Sequence, residues 1–341
     1  MSKVLIEQSS YKGWDASRIQ NGPLELLLVP QVGGRTMGMR WRGHELAFTQ
    51  PEREGRTENL SVVRDVRTRK REIGRILWGG DKTWLAPQDR WTDGFPFLDL
   101  DSGSYAQQIE QVGNEAVVIR MVSPVDRETG VQISRTLTVL PGSTEWLLTH
   151  ELHNASSAEV TWGVWDVSMV LRPAKVYLPT CGASQYPGGV RTYPEEGESV
   201  QVRDRVVQGL GSLAVITCDR SSKFKFGVGP GTDTGKQQRS PDRLHGKAWM
   251  LGILDVKDCG LVAYRKQIPV FDGRPYAHGC IAEVYNSDEY EYLEMEIHGP
   301  LVTLRPGQTF EITERQALFE VTQWPTTEAQ VLELVSGPPG Q

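Results

Sequence analysis

Apolar positions along this chain recur every second residue far more often than every third or fourth. Residues 132–140 alternate Ile133, Leu137 and Val139 against Gln132, Thr136 and Thr138. Residues 145–153 do the same with Trp146, Leu148 and Leu152. A period of two puts successive side chains on opposite faces of a strand, so these runs predict half-buried β-strands. The same reading applies to residues 25–30, 35–41, 46–48, 116–121, 160–170, 290–297 and 309–321, all rich in β-branched and aromatic residues. Between them stand turn signals: Gly33-Gly34, Arg42-Gly43, Pro141-Gly142-Ser143 and Arg305-Pro306-Gly307. Short strands punctuated this regularly predict an all-β sandwich or barrel. Only residues 326–335 carry a helical period, and residues 336–340 read as a loose tail. Residues 182–198 and 229–243, rich in Gly and polar residues, read as long surface loops. With no repeat and no composition break, residues 1–341 read as one domain, with a core over roughly 20–322 and a C-terminal extension over 323–341.

The 341-residue length is enough to bury a core without disulfides or structural metal. A net charge of -6 argues against a nucleic-acid partner. The opening residues show no apolar leader, and no stretch approaches the roughly 18 apolar residues of a membrane helix. Cys181, Cys218, Cys259 and Cys280 are widely spaced, which suits free thiols in a reducing cytoplasm. One local exception to the acidity is Arg64, Arg67, Arg69, Lys70, Arg71 and Arg75, read either as an anion-binding surface or as a solvated loop or strand rim.

Chemistry concentrates in four places. Trp78, Trp84 and Trp91 interleave with Gly79, Gly80, Asp81, Lys82, Gln88 and Arg90. Aromatic platforms among planar polar groups are what sugar rings need, although a buried turn plugged by aromatics has the same composition. Along residues 292–297, Tyr292, Glu294 and Glu296 share one face and Leu293, Met295 and Ile297 the other. That acidic face is either solvent-exposed or lines a concave cleft with a carboxylate poised as a base. His278 follows a loop and precedes a strand on which Glu283 and Tyr285 share a face; it is a candidate acid or base, or a structural histidine. Asp166, in the apolar run after Trp165, must be paired, neutralised or placed at a site. Nucleotide-loop, zinc-protease and serine-hydrolase signatures do not occur.

Three segments together resemble the galactose-mutarotase-like superfamily, and most closely its DUF4380 branch. They are Leu28 to Arg35 followed by Gly43-His44-Glu45, then Gly79 to Trp84 with Pro87-Gln88, and Glu294 to Gly307. The resemblance spans roughly residues 20–320 and implies a supersandwich of large antiparallel sheets with a carbohydrate site on a concave face. It implies aldose 1-epimerase-like chemistry, in which a glutamate takes the anomeric proton and a histidine protonates the ring oxygen. Glu294 falls where the glutamate falls. The histidine position falls near Trp165-Asp166, where there is no histidine, so the acid is His278 or Asp166, or the chain binds sugar without turnover. Asp81, Lys82, Trp84, Gln88, Arg90, Trp165 and Glu283 are the implied sugar contacts. Neither metal nor cofactor is implied, and no nucleic-acid or membrane partner.

Overall fold

A computed structural model describes residues 3–112, 116–180, 184, 186–230 and 247–337. Within them the alternating segments form two large antiparallel sheets. The first orders its strands as Leu5–Tyr11, Trp14–Asn21, Leu24–Val29, Arg35–Trp41, Asp81–Ala86, Val160–Leu171, Tyr292–His298, Ala282–Asn286, Phe224–Val228 and Val190–Thr192. His44–Glu45 and Val302–Leu304 pair off this path. The second runs Val207–Leu210, Leu213–Cys218, Ala174–Pro179, Lys247–Val256, Gly260–Pro269, Thr309–Val321, Glu145–Asn154, Val131–Val139, Ala116–Val122 and Ala106–Val112. The main core lies between the sheets, where Leu26, Leu28, Leu293 and Met295 of the first meet Ile133, Leu148 and Val262 of the second.

The outer faces are also used. The helix Glu328–Ser336, begun by a Thr327 capping box, lays Val331 and Val335 over the back of the second sheet. Most of the basic run is neither loop nor strand rim. Arg67, Arg69, Lys70 and Arg71 stand on the helix Val66–Ile73, capped by Asp65, whose Val66 joins Trp14, Val29 and Trp78 in an apolar cluster on the outer face of the first sheet, while Arg64 and Arg75 flank it in irregular chain. Residues 182–198 are not all loop either, since Val190–Thr192 pairs with Phe224–Val228. Of the other predicted loop, residues 231–243 lie outside the described residues, as does Cys181. Cys218, Cys259 and Cys280 are free. No helix among the described residues is long and apolar enough to cross a membrane.

Between the sheets lies a buried charged network. Arg135 pairs with Asp81, and Lys266 with Asp166. Ser168 donates to Asp81 at 2.6 Å, and its hydroxyl lies 2.9 Å from that of Tyr264, which donates to Gln316 at 2.7 Å. Burial acts to raise the Asp166 carboxyl, but Lys266 and Arg135 outweigh it and hold it below its ordinary value. Glu314 is less well covered, with Lys266 3.9 Å away, and burial, with Asp166 nearby, pushes it well up. Burial and Asp166 raise Asp81 as well, which leaves Lys266 and Asp166 as the clear ion pair. Removing one partner of such a pair strands a charge in a dry interior. Lys266→Met is expected to cost about 3–5 kcal/mol of unfolding free energy in urea titration, and Lys266→Met with Asp166→Asn distinctly less. A single-variant loss below about 1 kcal/mol would contradict the pairing.

Candidate active site

Residues directly opposite in antiparallel strands share a face. The register of the first sheet therefore lays three rows of side chains across its outer surface. Lys225, Tyr285, Glu294 and Met169 form one row. Glu283, Glu296, Val167 and Lys82 form the next, and His298, Trp165 and Trp84 the third. Gly79 and Gly80 make this approach possible. Both have positive φ, and a Cβ on Gly79 would lie 2.2 Å from the Phe48 carbonyl oxygen. Arg75, Gln88 and Glu196 stand at the rim of an open cleft floored by these rows.

In the cleft, the Lys82 ammonium donates to Glu294 Oε1 at 3.2 Å and lies 4.3 Å from the centre of the Trp84 ring. Lys82 is nearly covered, while Glu294 keeps 13% of its side chain exposed. Burial lowers the proton affinity of Lys82 against the pull of Glu294. Trp84 is fixed from behind: its indole N–H donates to Asp101 at 2.7 Å, and Arg35 holds the same carboxylate oxygen at 2.5 Å.

A second cluster packs around Trp165. Lys225 lies 2.9 Å from Glu296 and 3.0 Å from Glu283, and the Trp165 N–H donates to Glu296 at 2.8 Å. His278 Nδ1 lies 3.2 Å from Glu283, whose carboxylate also accepts from the Tyr193 hydroxyl. Burial, with Glu283 and Glu294 adding to it, pushes Glu296 up to about 8 despite Lys225. Glu283 goes the other way: burial is outweighed by Lys225 and then His298, which hold it well below the carboxylate range. One acid of the cluster is neutral at pH 7 and the other ionised.

The sequence-derived candidates divide between two faces. Lys82, Trp84, Gln88, Trp165 and Glu294 line the cleft together. Asp166 does not. As the neighbour of Trp165 on one strand it points inward, to Lys266, and is fully buried, so the assignment of Asp166 as acid is withdrawn. Asp81 is turned inward for the same reason, next to outward-facing Lys82. Arg90 is exposed and donates to the Thr161 carbonyl at 2.8 Å, away from the lining residues. Glu283 sits in the cluster around Trp165. His278 is not among the lining residues; it meets Trp165 edge-on at 5.1 Å, and its φ of 57° is held in place by Gln88 and Arg191. The sequence reading overlooked Arg75 as a cleft residue, Glu196, Arg35 and Lys225. A lysine within Phe224-Lys225-Phe226 was the available signal for the last.

Two clusters have metal-ligand composition, His278-Glu283-His298 and His150-Asp166-Glu314, each with ligand atoms within 4.8 Å of one another. In both, a lysine already pairs with a carboxylate of the set. The Gln88 amide donates to His278 Nε2 at 3.2 Å, which leaves the imidazole proton on Nδ1, the atom that would bind metal, and Lys225 already neutralises Glu283. In the second cluster Lys266 holds Asp166 Oδ2, while Asp166 Oδ1, His150 Nε2 and Glu314 Oε2 have no hydrogen-bond partner among the described residues.

Residues 96–319 match the family described as a domain of unknown function, DUF4380, and the chain belongs to that family. Its fold is galactose-mutarotase-like. The structure is similar to a candidate aldose 1-epimerase from Klebsiella pneumoniae subsp. pneumoniae, with TM-score 0.60 and 13% identity over 98% of this chain and 88% of that one. It is also similar to a galactose mutarotase-like protein from Clostridium acetobutylicum, with TM-score 0.53 and 11% identity over 94% of this chain and 99% of the other. At these identities the likeness is one of fold. No curated protein matches the sequence.

Burial drops the His298 pKa to about 4, so the ring is neutral in the folded protein. Between that value and the ordinary 6.5 the unfolded chain binds the extra proton, so stability is lost as pH falls through this window. Unfolding free energies at pH 7 and pH 4 should show His298→Gln losing less on acidification than the parent, by about 3 kcal/mol. Equal losses would contradict a neutral His298.

Proposed function

We propose that the chain is an aldose 1-epimerase-like isomerase that binds a reducing sugar in this cleft and interconverts its anomers by general acid–base catalysis. The observation that carries this reading is the Lys82–Glu294 pair, a cationic donor and an anionic acceptor 3.2 Å apart beside the Trp84 ring. A hemiacetal carbon bears two oxygens, a hydroxyl and the ring oxygen, and the pair presents one partner to each. Glu294 takes the hydroxyl proton as the bond from the anomeric carbon to the ring oxygen breaks, and Lys82 gives a proton to that oxygen. The open aldehyde turns about its C1–C2 bond. Closure runs the transfers in reverse and restores both groups, so the reaction consumes nothing and needs no cofactor. Burial makes Lys82 a stronger acid than a solvated lysine, which suits this role. Lys82 thereby replaces His278 and Asp166 as the acid. Trp84, Tyr285 and Tyr292 offer aromatic faces to the sugar C–H groups. The free thiols Cys218, Cys259 and Cys280 support a cytoplasmic setting.

Magnetisation-exchange NMR on a panel of aldoses is the test. Glu294→Gln and Lys82→Met are each expected to lower the catalysed exchange rate by about 10²–10⁴-fold. Sugar affinity should hold within about tenfold. Full activity in Glu294→Gln would remove the base. Calorimetric binding by the parent with no rate enhancement would instead identify a non-catalytic carbohydrate-binding protein.

A further inference from the structure

Four cationic side chains line the cleft: Arg35, Arg75, Lys82 and Lys225. Three are already engaged. Arg35 is held by Asp101, Lys82 by Glu294, and Lys225 by Glu283 and Glu296. Arg75 has no hydrogen-bond or ion-pair partner among the described residues. Its neighbours in the basic run explain why it stands apart. Arg69 pairs with Glu58, Arg67 and Lys70 with Glu128, and Arg71 with Asp93. The helix then stops at Gly74, whose φ of 63° turns the chain onto the cleft rim, so the next residue leaves the ion-paired face. Arg75 is exposed there, and its charge is felt at the hydroxyls of Tyr285 and Tyr292 on the sheet below. Of the two lining carboxylates, Glu294 is paired with Lys82, and Glu196, whose charge also reaches Tyr285, is left to oppose Arg75.

We propose that the cleft takes an anionic sugar, a uronate or a sugar phosphate, and that Arg75 receives its acid group. This rests on the sugar-binding reading above and narrows it to a substrate class. A guanidinium presents two parallel N–H donors that match carboxylate or phosphate oxygens. The other three cations are committed to the chain's own carboxylates, which leaves Arg75 to discriminate. A neutral aldose would use Lys82, Glu294 and the aromatic faces alone.

Calorimetry at low and high salt compares glucose with glucuronate and glucose 6-phosphate, and galactose with galacturonate. At least one anionic sugar should bind roughly 10–100-fold tighter than its neutral parent, with the advantage shrinking as salt rises. Whether carboxylate, phosphate or both gain identifies the acid group. Arg75→Gln should erase the preference while leaving neutral-sugar affinity within about twofold, and Glu196→Gln should enlarge it. Equal binding of neutral and anionic sugars, or a preference that survives Arg75→Gln, overturns the proposal. Arg75-dependent binding without anomer exchange would sink the isomerase reading and leave this one standing. Anomer exchange without charge preference would do the reverse, and failure of every sugar to bind contradicts both.

Discussion

The structure depends on a charged layer between its two sheets. Asp81 and Ser168 meet Arg135 and Tyr264 there, and Asp166 meets Lys266. A purely apolar interface would tolerate a slip of two residues along a strand, because the hydrophobic face would be preserved. Directional pairs do not tolerate it, since each slip would strand a buried charge. Asp81 and Asp166 alternate with Lys82 and Trp165 on the same two strands. The inward residues thus set the register in which the outward ones meet Glu294, and the cleft geometry follows from a network on the opposite face of the sheet.

Burial then sorts the acids of the outer face. Glu294 stays partly in solvent and is paired with a single lysine. Glu296, two residues further along the strand, is fully covered and pushed up to about 8, while its cross-strand partner Glu283 is held ionised by Lys225. The two covered carboxyl groups are thus driven in opposite directions by burial and by Lys225. Of the three, only Glu294 is open to a ligand of the cleft, and the proposed acid–base role rests on that exposure.

Much of this was legible in the sequence. Alternation in Gln132 to Leu140, Glu145 to His153 and Thr309 to Val321 predicted strands within a residue or two of where they lie. The shared face of Tyr292, Glu294 and Glu296 was legible for the same reason. What alternation does not reveal is which face of a strand is buried when both carry charge. Asp81 and Asp166 looked like cleft residues because their strands hold tryptophan and lysine next to them, and partners such as Arg135 and Lys266 are distant in the chain. The helix Val66–Ile73 escaped notice because only Val66 and Ile73 mark an apolar side among basic residues, a stripe too thin for periodicity to find. Lys225 was hidden inside an apolar strand whose carboxylate partners, Glu283 and Glu296, lie about sixty residues on or more.

The central claim is that a sugar meets the Lys82–Glu294 pair on the outer face of the first sheet. A crystal structure of the protein soaked with a reducing sugar tests it most directly. The anomeric hydroxyl is expected within hydrogen-bond reach of Glu294 and the ring oxygen within reach of Lys82, over the Trp84 ring. A sugar bound with its anomeric carbon turned away from that pair, or lodged on another face of the sandwich, would contradict it.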